Sequence, residues 1–236
     1  MKIVSKQSPN FSAKTRNLKD IKFIILHYTG MQSTRESMKR LLNKRSKVSC
    51  HYLISRKGVI YKLVDVKKIA WHAGKSKWKN FKNLNYKSIG IELQNKGHNI
   101  NYERFTKIQL ISLLKLLKKL IKKYKIKKNY VLGHSDIAPL RKTDPGEKFP
   151  WELLSKKGAS IWYVKSNLKI KSMSQDKRRE FFFKNLLKIG YRYFSLYKKS
   201  VNDKRIVKAF QMRFLPKNAN GEITDKTLKI SQLLAK

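Results

Sequence analysis

Cysteine, acidic side chains and long apolar runs are all scarce in this sequence of 236 residues. Cys50 is the only cysteine, so an internal disulfide is excluded and nothing requires an oxidising compartment. A metal site in this chain would therefore have to be built from histidine and carboxylate side chains. No run of about 18 apolar residues occurs, so a transmembrane helix is not expected.

The shortage of acids leaves an extreme charge, because 57 Lys and Arg residues face 14 Asp and Glu residues, a formal net charge of +43. One interpretation is a polyanionic partner such as nucleic acid, an anionic membrane surface or an acidic wall polymer. The other is a compositional bias, which is favoured because lysine outnumbers arginine and is dispersed along the chain. Charge of this kind concerns association and not fold, so neither interpretation decides the architecture.

The N-terminal stretch MKIVSKQSPNFSAK lacks the apolar core of a signal peptide. A cytoplasmic location is therefore the expectation. A non-standard export route leaves the periplasm or the cell envelope open.

Apolar residues make up 41% of the chain, which is enough for a real core. Apolar runs at 21–28, 49–54, 59–64 and 88–94 predict strands, and the clearest helical periodicity covers 106–124. Alternation of apolar strands with amphipathic helices is typical of an α/β or α+β domain.

The chain is predicted to divide into four parts. Residues 1–20 are polar and expected to be a loose extension, 21–158 form the main domain, and 159–175 are a strand-poor linker. From 176 to 236 the pattern is purely helical and predicts a small separate domain of three short helices.

Residues 131–146, which read VLGHSDIAPLRKTDPG, place His134 at the end of a short apolar strand and Lys142 and Asp144 in the following loop. Neutral imidazole together with carboxylate is a common ligand set for Zn²⁺, and catalytic zinc sites usually have three protein ligands and one open position. This stretch supplies two of the three ligands.

A third ligand is expected at another strand end, where site residues of α/β sheets are common. His27 ends the run IKFIILHY and is followed by Thr29-Gly30. Glu92 lies between Ile91 and Leu93 in an apolar strand, where a carboxylate is costly unless it is paired or functional. It is either a structural ion pair with a lysine or a general base.

Three aromatic side chains form a further group of candidates. Trp71, His72 and Trp78 lie in and after a loop of small residues, where aromatics either cover a core edge or form a binding wall. His51 lies among core-like neighbours and is interpreted as structural.

Taken together, these motifs resemble the zinc-dependent N-acetylmuramoyl-L-alanine amidases related to peptidoglycan recognition proteins. The resemblance covers roughly residues 20–158, and the tail resembles the three-helix peptidoglycan-binding domain of bacterial two-domain amidases. The motifs that carry it are HYTG with His27, WHAG at 71–74, GIEL at 90–93, GHSDIAP at 133–139, RKTDPG at 141–146, and AFQMRF with GEITDKT in the tail.

The resemblance implies a mixed β-sheet flanked by helices, with one Zn²⁺ per chain bound by His27, His134 and Asp144. It implies that Glu92 is the general base and that Lys142 stabilises the oxyanion. The implied reaction is hydrolysis of the amide between N-acetylmuramic acid, or its anhydro form, and L-alanine. Peptidoglycan or muropeptides would be the substrate. The candidate substrate-binding residues are Trp71, His72, Trp78, Arg56 and Arg141.

Two alternative functions are also considered. A non-catalytic peptidoglycan receptor on the same fold would lack part of the zinc set, whereas all five residues are present here. A nucleic-acid-binding protein would account for the charge but has no use for the histidine and acid set, and no recognisable nucleic-acid motif is present, so no specific nucleic acid is expected. Oligomeric state is not readable from the sequence.

Overall fold

The structure is a computed structural model that describes residues 3–236. A six-stranded mixed sheet forms its centre, in the order β1-β5-β4-β9-β3-β10. Two further pairs, β2 with β6 and β7 with β8, lie outside it. The strands are β1 Ile3–Ser5, β2 Phe11–Thr15, β3 Phe23–Tyr28, β4 Tyr52–Ile54, β5 Ile60–Lys62, β6 Lys68–Ala70, β7 Lys77–Trp78, β8 Phe81–Lys82, β9 Ser88–Leu93 and β10 Val131–Gly133.

Helices cover the sheet, which confirms the predicted mixed α/β class. None of the helices within residues 3–236 is both long enough and apolar enough to cross a membrane. The helices are α1 Thr34–Leu42, α2 Lys107–Tyr124, α3 His134–Ile137, α4 Trp151–Lys156, α5 Gln175–Ile189, α6 Asp203–Phe214 and α7 Asp225–Leu234.

Four neighbouring strands, β4, β9, β3 and β10, run parallel. Their carboxyl ends therefore meet at one edge of the sheet, where α/β proteins place their sites. β3 and β9 are buried over almost their whole length, as expected for central strands covered on both faces.

The longest helix, α2, forms as its sequence predicts. Thr106 caps it by accepting a hydrogen bond from the backbone N–H of Gln109. Leu113, Leu116 and Leu117 are buried against the sheet, while lysines occupy the outer face. The Gln109 side chain donates to the backbone carbonyls of Ile54 and Gln94, which ties the start of the helix to β4 and to the end of β9.

The expectation of a loose N-terminal stretch was wrong. β1 extends the central sheet by pairing in parallel with β5, and β2 pairs with β6. Arg16 is buried, and its guanidinium donates to the carbonyls of Val66, Tyr86 and Ser88. These polar anchors order a segment that has too few apolar residues to signal a strand.

Residues 161–174 contain neither helix nor strand, and helices α5 to α7 follow them. The division into a linker and a separate C-terminal domain stays a prediction. The three helices share one apolar cluster with the sheet, in which Phe182, Phe183 and Phe210 join Phe23 and Ile25 of β3.

Candidate functional site

His27 and Glu92 are brought together by strand register. His27 is the penultimate residue of β3 and pairs directly with Glu92 of β9. Because the two strands are parallel, both side chains occupy the carboxyl edge of the sheet, on the same face. One pairing between adjacent strands thus brings together two residues that lie 65 positions apart in the sequence.

His134 and Asp144 are supplied by the neighbouring strand and its loop. β10 ends at Gly133, and His134 begins α3. The backbone N–H of Ser135 donates to the carbonyl of Asp144 at 2.8 Å, which folds the loop back onto the strand end. This contact brings the Asp144 carboxylate beside the His134 ring.

Three side-chain atoms of these residues converge. Nδ1 of His27 lies 3.0 Å from Nδ1 of His134 and 2.9 Å from Oδ2 of Asp144. The distance from His134 Nδ1 to Asp144 Oδ2 is 3.2 Å. All three residues are buried.

The hydrogen-bond network fixes the tautomers of His72 and His27. The Ser88 hydroxyl donates to the Leu84 carbonyl, so it accepts from Nε2 of His72, and Nδ1 of His72 is left as an acceptor. His72 Nδ1 lies 3.0 Å from Nε2 of His27, which must therefore donate to it. His27 thus turns an unprotonated Nδ1 toward Asp144.

The outer nitrogen of His134 has two polar neighbours. Its Nε2 lies 3.1 Å from the carbonyl of Ala73, which accepts from a protonated Nε2, and 3.2 Å from Nη2 of Arg141, which donates to an unprotonated one. When Nε2 carries the proton, Nδ1 of His134 joins Nδ1 of His27 and the Asp144 carboxylate as a third acceptor, an arrangement that a cation stabilises. Two imidazoles oriented by outer hydrogen bonds and one carboxylate fit the donor set of a Zn²⁺ site.

The charge states agree with this assignment. Burial, reinforced by His134, lowers the pKa of His27 to about 4, so the ring is neutral at physiological pH. Burial opposes ionisation of Asp144, but His134 and His27 outweigh it and hold the pKa of Asp144 well below its usual range. The donor set therefore includes a neutral nitrogen from His27 and an anionic oxygen from Asp144.

Glu92 is the unpaired acid of the site. It is half-buried, and its Oε2 is shielded from solvent without a hydrogen-bond partner. Burial, together with the charge of Asp144, raises the pKa of Glu92 to about 8. Among the described residues Glu92 forms no ion pair, so the structural alternative of a pairing with lysine finds no support.

These groups open into one cavity of about 410 Å³. Lys142 lines it and acts electrostatically on both Glu92 and His27. Trp71, His72 and Arg141 also line it. A larger cavity of about 850 Å³, between residues 163–170 and α7, is lined by none of the candidate catalytic or metal-binding residues.

The candidate substrate-binding residues divide in the structure. Trp71 borders the cavity, whereas His72 faces His27 and orients it. Arg141 borders the cavity but is tied back to the carbonyls of Ala73 and Lys75.

Two of those candidates lie outside the cavity. Arg56 is paired with Glu103 at 2.6 Å, and Trp78 is buried against Tyr191. His51, interpreted as structural, is buried and accepts from the backbone N–H of Gly90 at 3.0 Å.

Two site residues were missed in the sequence. Arg40 lines the cavity from α1, where its position signalled only a solvated helix face. His98 bonds to Tyr28 and Glu147 and stacks on Tyr102, which links residues 95–102 to the loop of Asp144. The rarity of histidine, with five in the chain, was the one available signal for His98.

Glu92 should make the stability of the metal-free protein depend on pH. Its pKa is about 8 in the folded chain against 4.5 for the free side chain, so between these values the folded state keeps a proton that the unfolded state releases. The contribution of protonated Glu92 to the free energy of unfolding is fully present below about pH 4.5 and is lost as the pH rises toward about 8.

We therefore expect chelator-treated Glu92→Gln to exceed the wild type in unfolding free energy at pH 8 by on the order of 1–3 kcal/mol, and to match it near pH 4.5. Urea unfolding at both pH values checks this. An equal difference at the two would contradict it.

Comparison with known proteins places this chain and its fold in one class. The family model described as N-acetylmuramoyl-L-alanine amidase, Amidase_2, matches residues 17–147. The chain is 34% identical over 229 residues to N-acetylmuramoyl-L-alanine amidase AmiD of Escherichia coli, covering 91% of this chain and 82% of AmiD. It is 35% identical over 164 residues to the 1,6-anhydro-N-acetylmuramyl-L-alanine amidase AmpD of Haemophilus influenzae, covering 62% of this chain and 86% of AmpD.

Solved structures agree. The complex of E. coli AmiD with the substrate anhydro-N-acetylmuramic acid-L-Ala-D-γ-Glu-L-Lys superposes with a TM-score of 0.81 at 31% identity, covering 94% of this chain and 91% of that one. AmpDh3 of Pseudomonas aeruginosa with anhydromuramic pentapeptide gives 0.79 at 29% identity, covering 95% of each chain.

The chain belongs to the N-acetylmuramoyl-L-alanine amidase family. The predicted enzyme class, an amidase acting on the bond between N-acetylmuramic acid and L-alanine, is confirmed.

Proposed function

We propose that this chain is a zinc-dependent amidase that hydrolyses the muramoyl–L-alanine amide of peptidoglycan fragments, with one Zn²⁺ bound by His27, His134 and Asp144. The convergence of the Nδ1 atoms of two histidines and one carboxylate oxygen supports this most strongly. Among the described residues, this is the one group of histidine, cysteine and acidic side chains that could hold a metal ion.

The remaining residues divide the chemistry between them. When bound, Zn²⁺ acts as a Lewis acid and lowers the pKa of water toward about 7. Glu92 accepts a proton from the attacking water and passes it to the leaving L-alanine nitrogen. A nearby dication favours the ionised form of Glu92, which counteracts the rise in pKa caused by burial.

Lys142 stabilises the negative charge that develops on the carbonyl oxygen of the substrate. It lies two residues before Asp144 and lines the same cavity, so its ammonium faces the reacting carbonyl from the loop that carries a ligand. Lys142 contributes charge without being a ligand.

The substrate is proposed to enter along the cavity edge formed by Trp71 and Arg40. Trp71 offers a face to a sugar or peptide, and Arg40 offers a positive charge to a peptide carboxylate. Because two solved relatives hold anhydromuramyl peptides, we propose muropeptides of this kind as substrates. Residues 176–236 are proposed to bind intact wall.

The receptor alternative is disfavoured by Glu92. A binding protein gains nothing from a shielded carboxylate oxygen without a partner, and such a group costs stability. A general base beside a metal site accounts for it.

Mass spectrometry of products tests the reaction. Purified anhydromuramyl peptides and intact sacculi are incubated with the enzyme, with and without a chelator. We expect free stem peptides beginning with L-alanine, no product after chelation, and recovery on adding Zn²⁺. Cleavage at another bond, or full activity in chelator, would reject the proposal.

Orientation of His27 by His72 gives a further prediction. His72→Phe keeps an aromatic ring but removes the acceptor for Nε2 of His27, so we expect zinc affinity to fall about 10- to 100-fold. Competition with a chromogenic chelator measures this. Trp71→Phe, a neighbouring change without contact to a ligand ring, should leave the affinity unchanged, and equal losses in both variants would contradict the assignment.

A further inference from the structure

The turn that presents His134 carries a second buried acid. Asp136 lies two residues after His134 in α3 and is 1% exposed. Its Oδ2 accepts from the backbone N–H of Gly133 at 2.8 Å, so the carboxylate closes the turn between β10 and α3. The position of His134 therefore depends on the conformation of Asp136.

Asp136 is held by residues that lie far away in sequence. Arg213 of α6 donates through Nη1 to Oδ2 at 2.5 Å, and the two side chains are 2% and 1% exposed. Arg213 also donates through Nη2 to the Val131 carbonyl at 3.1 Å, and its guanidinium lies 4.2 Å from the centre of the Trp151 ring. One side chain of the C-terminal helices thus contacts β10, α3 and α4.

A second donor comes from the turn after α5. The Tyr191 hydroxyl donates to Oδ1 of Asp136 at 2.5 Å. Its ring packs against Trp78, and the backbone N–H of Lys79 donates to the Gly190 carbonyl at 2.8 Å. Both oxygens of Asp136 therefore have a donor, one of them a charged partner, while Nε of Arg213 has no hydrogen-bond partner among the described residues.

A buried ion pair of this kind is costly unless its hydrogen bonds are complete, and removal of one partner leaves an uncompensated buried charge. A surface-tethered module would have no need of such an arrangement. Arg213 and Tyr191 instead contact β10 and α3, the segment of backbone that carries the proposed metal ligand His134.

We propose that the C-terminal helices are a structural part of the active site, in which Arg213 and Tyr191 act as positioning residues that hold Asp136 and thereby the ring of His134. This rests on the proposed role of His134 as a ligand. It means that loss of the C-terminal segment impairs the metal site as well as any attachment to the wall.

Arg213→Met is the direct test, and Arg179→Met is the matched control. Arg179 pairs with Asp203 at 2.7 Å within the C-terminal helices, and these side chains are 12% and 16% exposed. Both variants remove one arginine from a largely buried ion pair, but only Arg213 reaches β10 and α3. Arg213→Lys tests for partial rescue.

Two readouts are needed. In the zinc-loaded full chain, we expect Arg213→Met to lower zinc affinity at least about 10-fold and to alter the visible spectrum of the Co²⁺-substituted form, whereas Arg179→Met leaves both unchanged. In the metal-free chain, we expect faster amide hydrogen exchange at Gly133 and Ser135 in Arg213→Met, relative to Ile25 of β3 as an internal reference.

The outcomes separate the two proposals. A wild type that binds no zinc, with local exchange still raised by Arg213→Met, overturns the proposed function and keeps this inference. If the wild type binds zinc but Arg213→Met leaves zinc affinity, the Co²⁺ spectrum and hydrogen exchange unchanged, this inference alone is overturned. Equal effects in Arg213→Met and Arg179→Met would overturn it as well. If Arg213→Met does not fold, Tyr191→Phe, which removes one hydroxyl, should raise exchange at Ser135, and unchanged exchange would refute the inference.

Discussion

Replacing Glu92 by Gln is expected to lower kcat by about 10²- to 10⁴-fold while the protein still binds one zinc ion. The change keeps the shape of the side chain but removes the carboxylate that is proposed to accept the proton. The proposed ligand atoms belong to His27, His134 and Asp144, so metal retention should not depend on this residue.

The measurement is steady-state release of stem peptide from an anhydromuramyl peptide, combined with metal analysis of the same preparations. Glu103→Gln is a suitable control, because Glu103 pairs with Arg56 and Lys96 away from the cavity. It should retain wild-type turnover. Near wild-type kcat in Glu92→Gln would remove Glu92 from the mechanism.

His134→Ala is expected to abolish both zinc retention and cleavage. The substitution leaves two ligands, which is one fewer than catalytic zinc sites normally have. It also removes the bond to the Ala73 carbonyl, so the loop at 73–75 loses a contact to the site. Activity should fall to the detection limit even with excess zinc in the assay.

Metal content after gel filtration and product analysis together check this result. His51→Gln is the matched control, because it alters another buried histidine that lies outside the ligand set, and glutamine can still accept from Gly90. This control should retain one zinc ion. If His134→Ala kept stoichiometric zinc and turned over substrate, the ligand assignment would be wrong.

Much of this site could be predicted because its chemistry lies at strand ends. His27, Glu92 and His134 each occur at or near the end of an apolar run, and parallel pairing of β3 with β9 and β10 brings such ends together. Asp144 follows in a short loop, so its place beside His134 required little tertiary information. The strands and α2 were predicted for the same reason, since their apolar patterns are long and regular.

The roles of single side chains were less accessible. Trp78 was a candidate binding residue because it is an aromatic residue close to a loop. Its packing against Gly190 and Tyr191 instead places it in the core. The contact of His72 with His27 depends on Gly90, where a Cβ would collide with the His72 ring. Neither contact leaves a periodic signal in the sequence.

Long-range polar pairs were the hardest to foresee. Asp136 and Arg213 are separated by 77 positions, and nothing local to either residue indicates a buried partner. The N-terminal strands were missed because their pairing depends on Arg16 and on short edge contacts rather than on hydrophobic pattern. The chain has 57 basic residues, and the few buried ones, such as Arg16 and Arg213, are those that hold the fold together.

X-ray absorption and anomalous diffraction at the zinc edge, on protein loaded with one equivalent of Zn²⁺, test the central claim most directly. We predict a single zinc ion bonded to Nδ1 of His27, Nδ1 of His134 and a carboxylate oxygen of Asp144, at about 2.0–2.2 Å from each and without a sulfur ligand. An ion bound elsewhere, coordination through Nε2 of either histidine, or failure to retain zinc at all would contradict the account.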